Sequence, residues 1–239
     1  CLGFEGPPGT GKTSLAKKGI SQCLLDNGQS RPFAFVALGG SSNGSTLEGH
    51  NYTYVGSTYG KIVEILIETQ CMNPIIYIDE LDKISKTENG KELIGILTHM
   101  TDPSQNEQFS DKYFSGINID LSKVLFIFSY NDYNLLDPIL ADRIHRIKFS
   151  YLSKKEKIHI MNNYIVPELC HTIGFNKSSI IFKKNVIDFI IRNYTYEAGV
   201  RKLKEKVFEI IREINLRFIT ENKDYTEPIQ ITIQDIKNY

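Results

Sequence analysis

Apolar residues come in short unbroken runs through the first 150 positions and at helical spacing after them. Cys1–Phe4, Phe33–Leu38, Ile75–Ile78 and the core of Lys123–Tyr130 each read as a strand, a continuous apolar run being what a strand covered on both faces needs, and His145–Phe149 reads as the last strand of the sheet. Helical patterns lie between them. Ser14 to Leu25 ends at the turn signal Asn27-Gly28, and Lys61 to Gln70 lines up Ile62, Ile65, Leu66 and Thr69 on one face. Gly39 to Gly60 is polar, with six glycines in 22 residues and Tyr52-Thr53-Tyr54-Val55-Gly56 at its middle. Loops that long are usually functional or disordered.

The period changes near Ser150. Ser153-Lys154-Lys155-Glu156 has capping-box spacing, and a helix is expected from there to about Val166, with Pro167 ending or kinking it. Lys183 to Tyr194 carries Val186, Ile187, Ile190, Ile191 and Tyr194 on one stripe. Val200 to about Thr220 carries Leu203, Val207, Ile210, Ile211, Ile214 and Phe218. Ile180–Phe182 and Ile229–Thr232 are short extended segments. Two domains are therefore expected: an α/β one over residues 1–150 and a mostly helical one over 151–239.

One stretch carries specific chemistry. Gly6-Pro7-Pro8-Gly9-Thr10-Gly11-Lys12-Thr13 satisfies G-x-x-x-x-G-K-[ST], with a strand before it and a helix, opening near Ser14, after it. That order turns backbone N–H groups and a helix N-terminus onto a polyphosphate. It assigns Lys12 to the β- and γ-phosphates and the Thr13 hydroxyl to Mg²⁺. The run Ile75–Ile78 ends in Asp79-Glu80, at the carboxyl end of a strand, where α/β sheets take their ligands. Asp79 suits the same cation and Glu80 suits activation of a water. Asn131 closes the run Val124–Tyr130 and suits a hydrogen bond to the water or the γ-phosphate; a plain turn residue is the other reading.

Composition adds little to this. Lys+Arg and Asp+Glu are both 28, so net charge favours neither a polyanion nor a membrane. Residues 141–217 carry +8, which leaves nucleic acid open as a partner but unsupported; nucleotide or a neighbouring subunit are other partners for it, and a solvated face is the favoured reading for most of its lysines. Cys1, Cys23, Cys71 and Cys170 lack metal-ligand spacing, and an intracellular soluble protein with reduced thiols is expected. No run reaches membrane-spanning length. A chain that opens on a strand without Met reads as part of something longer.

With both phosphate-site stretches placed, the sequence resembles the AAA+ module of Lon proteases. The resemblance lies in those stretches and in Leu38-Gly39-Gly40, Gly49-His50, Thr53-Tyr54-Val55-Gly56, Asp102-Pro103-Ser104-Gln105-Asn106, Phe109-Ser110-Asp111 with Tyr113, Asp120-Leu121-Ser122-Lys123-Val124 and Glu197-Ala198-Gly199-Val200-Arg201. It implies an AAA+ P-loop NTPase fold, a parallel sheet flanked by helices, followed by a small, mostly helical lid. It implies ATP or ADP held along Gly6, Pro7, Pro8, Gly9, Thr10, Gly11, Lys12, Thr13 and Ser14, with Ile160 and Val200 at the adenine. Thr13 and Asp79 become the magnesium residues, Glu80 the water activator, Asn131 the first sensor, Arg143 the arginine finger and Arg201 the second sensor. Tyr54 and Val55 become a pore loop that grips unfolded polypeptide, in a ring that the resemblance implies is a hexamer.

The chain departs from the family around His50, at Thr87–Met100, at Tyr130 and at Leu152. The family's Ser–Lys proteolytic pair belongs beyond a segment like Ile233–Tyr239, so no proteolytic residue is assigned. Taken by the residues alone, Arg143 is also explained as an ion-pair partner of Asp142, Arg201 as helix surface and Tyr54 as a packed loop residue. The expected function is an ATP-hydrolysing unfoldase module of a Lon-like protease. The alternative is a nucleotide-gated chaperone or scaffold with little turnover.

Overall fold

The computed structural model describes residues 1–26, 28–39, 44–84, 87–175, 180–221 and 228–237, without the side chains of 218, 221 and 237. Asn27 of the expected turn, Gly40 of the Leu38-Gly39-Gly40 stretch and the Phe218 side chain of the last helical stripe lie outside the described residues. The chain divides into two compact units, Cys1–Gly6 with Gly11–Phe149, and Pro7–Thr10 with Ser150–Tyr239.

The first unit is built on a five-stranded sheet: β1 (Leu2–Glu5), β2 (Phe33–Ala37), β3 (Ile75–Asp79), β4 (Leu125–Tyr130) and β5 (His145–Lys148), in spatial order β2-β3-β4-β1-β5. Every neighbouring pair is parallel. The continuous apolar runs are explained by cover on both faces. Ile76, Ile78, Phe126 and Phe128 point into a core with Ile62, Ile65, Leu93, Leu97 and Met100. Ile75, Tyr77 and Ile127 point the other way, onto Phe4 and Ala16. Each fully buried aliphatic contributes about 1.5–3 kcal/mol by leaving water, so slipping β3 by one residue exchanges two cores.

The connections differ from the sequence expectation in three places. The helix after the loop runs from Lys12 to Cys23 as an α turn Lys12–Ser14, a π segment Leu15–Ile20 and a last turn Ser21–Cys23; Leu25–Asp26 then pairs with Gln29–Ser30. The polar stretch 39–60 contains a helical turn, Ser45–Glu48, because Leu47 is fully buried and needs a scaffold. Phe109–Ser110 and Asn118–Ile119 form a small antiparallel pair.

The second unit begins at a capping box: Ser153 accepts from the Glu156 N–H while Glu156 accepts from the Ser153 N–H. Of the two expectations for Pro167, an end or a kink, the end is corrected. Helical backbone continues as Lys154–Ile160, a π segment Met161–Ile165, and Val166–Ile173 before Gly174 caps it. Proline has no N–H to give an i−4 carbonyl, and the π segment widens the turn just ahead of it. Ile180–Phe182 pairs in parallel with Ile229–Ile231. The amphipathic helices Lys184–Tyr194 and Arg201–Glu221 close the core through Val186, Ile187, Ile190, Leu203, Val207 and Ile211. No described helix is long and apolar enough to cross a membrane.

Gly3, in the middle of β1, is the tightest point of the sheet. A Cβ there would stand 2.3 Å from the Ile144 Cγ2 and 2.7 Å from the Tyr130 phenol oxygen. Both neighbours are buried, so neither can swing away. Gly3→Ala is expected to destabilise folding by about 1–3 kcal/mol through overpacking, read as a lower urea midpoint at unchanged slope. An unshifted midpoint contradicts this packing.

Candidate functional site

The loop leaves β1 at its carboxyl end, between β4 on one side and β5 on the other. Arg146 of β5 straps that end down. Its guanidinium makes a bidentate pair with Glu5, with Nη2 to Oε1 at 2.6 Å, and this holds the Glu5 carboxyl below its ordinary pKa. Gly6 then turns with φ 151°, and a Cβ would stand 2.4 Å from the Phe149 carbonyl oxygen. Its N–H donates to the Tyr130 carbonyl, 3.2 Å.

Lys12 is the buried cation of the site, 9% exposed. Its ammonium donates to the Gly6 carbonyl, to the Tyr130 carbonyl at 3.2 Å and to Asn131 Oδ1 at 3.3 Å. Burial pushes its pKa down, and the nearby Asp79 and Asp82 carboxylates push it back up. Asn131 is therefore brought to Lys12. Its N–H donates to Asp82 Oδ2, 3.0 Å, while Asp82 Oδ1 is buried with no hydrogen-bond partner. Asp82 was missed in the sequence. Its only signal there was its place two residues beyond Glu80.

Thr13 is exposed and directs its hydroxyl to the Tyr77 phenol, 3.2 Å. Ser14 is also exposed, one residue further along the helix. Asp79 is half-buried at the end of β3, and its Oδ1 accepts the Glu80 N–H at 3.0 Å. Thr13 and Asp79 thus offer hard oxygen donors, and Asp79 lies close enough to Lys12 to act on its charge. Among the described residues no group of three or more His, Cys, Asp or Glu is placed to hold a metal unaided.

Glu80 adopts left-handed backbone, φ 60° and ψ 40°, and pairs with Lys83. Gly39 makes room for it: a Cβ there would stand 1.7 Å from Glu80 Oε2. Tyr130, one of the departures from the family, is wholly buried beside Gly3; its phenol has no partner, and burial pushes its pKa up to about 12.

Arg143 follows the helical turn Pro138–Asp142 and pairs with Asp102, not with the adjacent Asp142. The Arg143 Nη1 to Asp102 Oδ2 distance is 2.7 Å. The pair lines an open cleft of about 380 Å³ with Lys91, Thr98, Gln105 and Asp137.

Tyr54 and Val55 stand at the tip of a tight excursion, 66% and 107% exposed. Its base is closed by the His50 N–H to the Thr58 carbonyl at 3.0 Å. Below that, Asp111, fully buried, accepts the Gly60 N–H at 2.8 Å. Tyr54 is thus largely exposed among the described residues, against the reading of it as a packed loop residue.

In the second unit, the Val200 N–H donates to the Gly9 carbonyl at 3.1 Å, and a Cβ on Gly199 would strike the Gly9 backbone at 2.2 Å. Gly9 and Thr10, whose hydroxyl donates to the Pro7 carbonyl at 2.8 Å, are thus held by the turn that opens the long helix. Arg201, first in that helix, is 74% exposed and faces Glu205 at 3.6 Å. Ile160 packs partly buried against the helical core.

Over residues 2–152 the chain matches the family model described as ATPase family associated with various cellular activities (AAA). Over residues 171–227 it matches the one described as Lon protease AAA+ ATPase lid domain. It is 45% identical over 216 residues to a Lon protease homolog of Acanthamoeba polyphaga mimivirus, covering 90% of this chain and 20% of the relative. It is 36% identical over 238 residues to the Lon protease of Campylobacter concisus, covering 100% of this chain and 28% of the relative. The chain spans between a fifth and a third of the length of the curated relatives it matches.

The Asp102 carboxyl that holds Arg143 lies below its ordinary pKa of 3.8, first because the Ser104 N–H and hydroxyl donate to it, then because of Arg143. A carboxyl with a depressed folded pKa adds stability above its unfolded pKa and loses it as pH falls through the folded one. The Asp102 Cγ resonance is expected to titrate with a midpoint below 3.8, and Ser104→Ala is expected to raise that midpoint. A wild-type midpoint at or above 3.8 contradicts the assignment.

Proposed function

The chain belongs to the ATPase family associated with various cellular activities (AAA) and has a lid of the Lon protease type, and we propose that it is the motor module of a Lon-like ATP-dependent protease, spending ATP to thread unfolded polypeptide. The observation that carries the reading is the buried Lys12 ammonium, faced by Asn131 and close enough to Asp79 to feel its charge, with Thr13 following it in the chain. It is a cationic, oxygen-lined end of a parallel sheet, and a polyphosphate is the ligand that such a site complements.

Magnesium fits the donor set. It is bound through one or two carboxylates together with substrate phosphates, keeping several waters, and not by an all-protein cage. Thr13 and Asp79 are the residues to hold it. The ion neutralises charge on the phosphates when bound. Lys12 orients the same phosphates, and Asn131 positions the water. Glu80 accepts the water's proton once its carboxylate turns from Lys83, a partner on a half-exposed lysine that holds it weakly.

Arg143 is the proposed arginine finger, serving a neighbouring copy's site after exchanging Asp102 for phosphate oxygens. A guanidinium at a transferring phosphoryl group is worth on the order of 10³-fold or more in rate. That role requires a ring, and the family likeness makes a hexamer the size proposed. Arg201 is the second sensor, and Val200 and Ile160 the adenine residues. Tyr54 and Val55 grip the polypeptide: a flat ring and a branched aliphatic on an exposed tip hold any side chain without selecting one.

The Glu80–Lys83 pair also favours a second reading, a nucleotide-gated chaperone or scaffold with little turnover. Hydrolysis decides between them. In the ring-forming full-length protein, Glu80→Gln is expected to keep nucleotide binding while turnover falls on the order of 10²–10⁴-fold, the usual share of a general base. Turnover unchanged by Glu80→Gln contradicts the catalytic assignment. A wild type that binds ATP without hydrolysing it supports the second reading.

A further inference from the structure

Tyr77 is an unexpected residue in the middle of β3. It is fully buried on the face that carries Ile75 and Asp79. Its ring lies against Phe35, with centroids 5.8 Å apart at 19°, and against Phe33 at 5.9 Å, which leaves it little room to turn. Packing alone asks only for an apolar side chain here. The hydroxyl is an addition, and a buried hydroxyl costs stability unless it is hydrogen-bonded. It finds two partners: the Thr13 hydroxyl donates to it at 3.2 Å, and the Ser129 hydroxyl on β4 lies within hydrogen-bond reach. Ser129 is itself buried, 1% exposed. Three hydroxyls, from the loop helix, β3 and β4, therefore form one chain beneath the cation residues.

The chemistry of that chain follows from what a metal ion asks of an alcohol. A hydroxyl that gives a lone pair to a cation must turn its proton away from it. With no acceptor behind it, the hydroxyl rotates freely, and fixing it costs entropy at the moment of binding. We propose that Tyr77 is a positioning residue for the divalent cation: its phenol oxygen accepts the Thr13 proton and fixes the Thr13 lone pairs outward, beside the Asp79 carboxylate. The Tyr77 proton is directed at Ser129, so every hydroxyl in the chain keeps a partner. No proton changes owner. Groups one step behind a metal ligand act this way by orienting it. The inference rests on the reading of Thr13 and Asp79 as the magnesium residues.

The test measures binding, with a fluorescent ADP titrated at rising Mg²⁺ and again in EDTA. Tyr77→Phe keeps the ring, its stacking and the core. It is expected to raise the Mg²⁺ midpoint roughly tenfold while affinity in EDTA stays within about twofold of wild type, as loss of an orienting partner predicts. Ser129→Ala is expected to shift the midpoint the same way by less. A Tyr77→Phe midpoint that coincides with wild type overturns the inference and leaves the magnesium reading standing. Equal loss with and without Mg²⁺ overturns it too, since the tyrosine then serves only the packing. A wild type whose affinity ignores Mg²⁺ removes the premise, and with it the role given to Tyr77.

Discussion

A buried ammonium has to be surrounded by oxygen, because taking it from water costs several kcal/mol that nothing apolar returns. Lys12 meets that demand with two backbone carbonyls and one amide, drawn from two distant places in the chain. The Gly6 carbonyl is placed by the end of β1. The Tyr130 carbonyl and Asn131 are placed by the end of β4. These strands are in register, Glu5 beside Tyr130, so the cation's surroundings are a property of the sheet and not of the loop alone. The close approach of Gly6 to Phe149, the Glu5–Arg146 strap and the orientation of Asn131 by Asp82 all serve the same few ångströms.

Around this fixed point the other proposed working parts share a plan: an exposed functional group on a restrained base. Tyr54 and Val55 are free at the tip, but Asp111 ties down the Gly60 end of their excursion through a buried hydrogen bond. Arg143 is partly exposed, yet Asp102 holds its guanidinium in one place and Ser104 holds Asp102. Glu80 is turned aside by its left-handed backbone and by Lys83, and Gly39 leaves its carboxylate room. Ion pairs with partial exposure exchange partners at small cost. That is a useful property for groups whose proposed duty begins when a nucleotide or a neighbouring copy arrives.

What the sequence made legible followed from local physics. The central strands β3 and β4 are apolar runs because both their faces are covered, and the phosphate loop is a fixed spacing of glycines, lysine and threonine with its strand and helix in place. What it hid came from long range. Sheet order, the pairing of Arg143 with Asp102 in place of Asp142, and the meeting of Thr13 with Tyr77 join residues tens of positions apart, and no periodicity reports them. Asp82 looked like one more charge in an acidic turn until its carboxylate was seen on the Asn131 N–H. Pro167 misled for a local reason: a π segment just before it absorbs the missing hydrogen bond, so the helix runs on to Ile173.

The central claim is that Lys12, Thr13 and Asp79 meet one metal–triphosphate. Co-crystals with Mn²⁺ and a non-hydrolysable ATP analogue test it most directly, through the anomalous signal of the metal. The account predicts a single Mn²⁺ peak bonded or water-bridged to both Thr13 Oγ1 and the Asp79 carboxylate, with the Lys12 ammonium on the β- and γ-phosphates. A metal peak away from those two residues, or a triphosphate out of reach of Lys12, contradicts it.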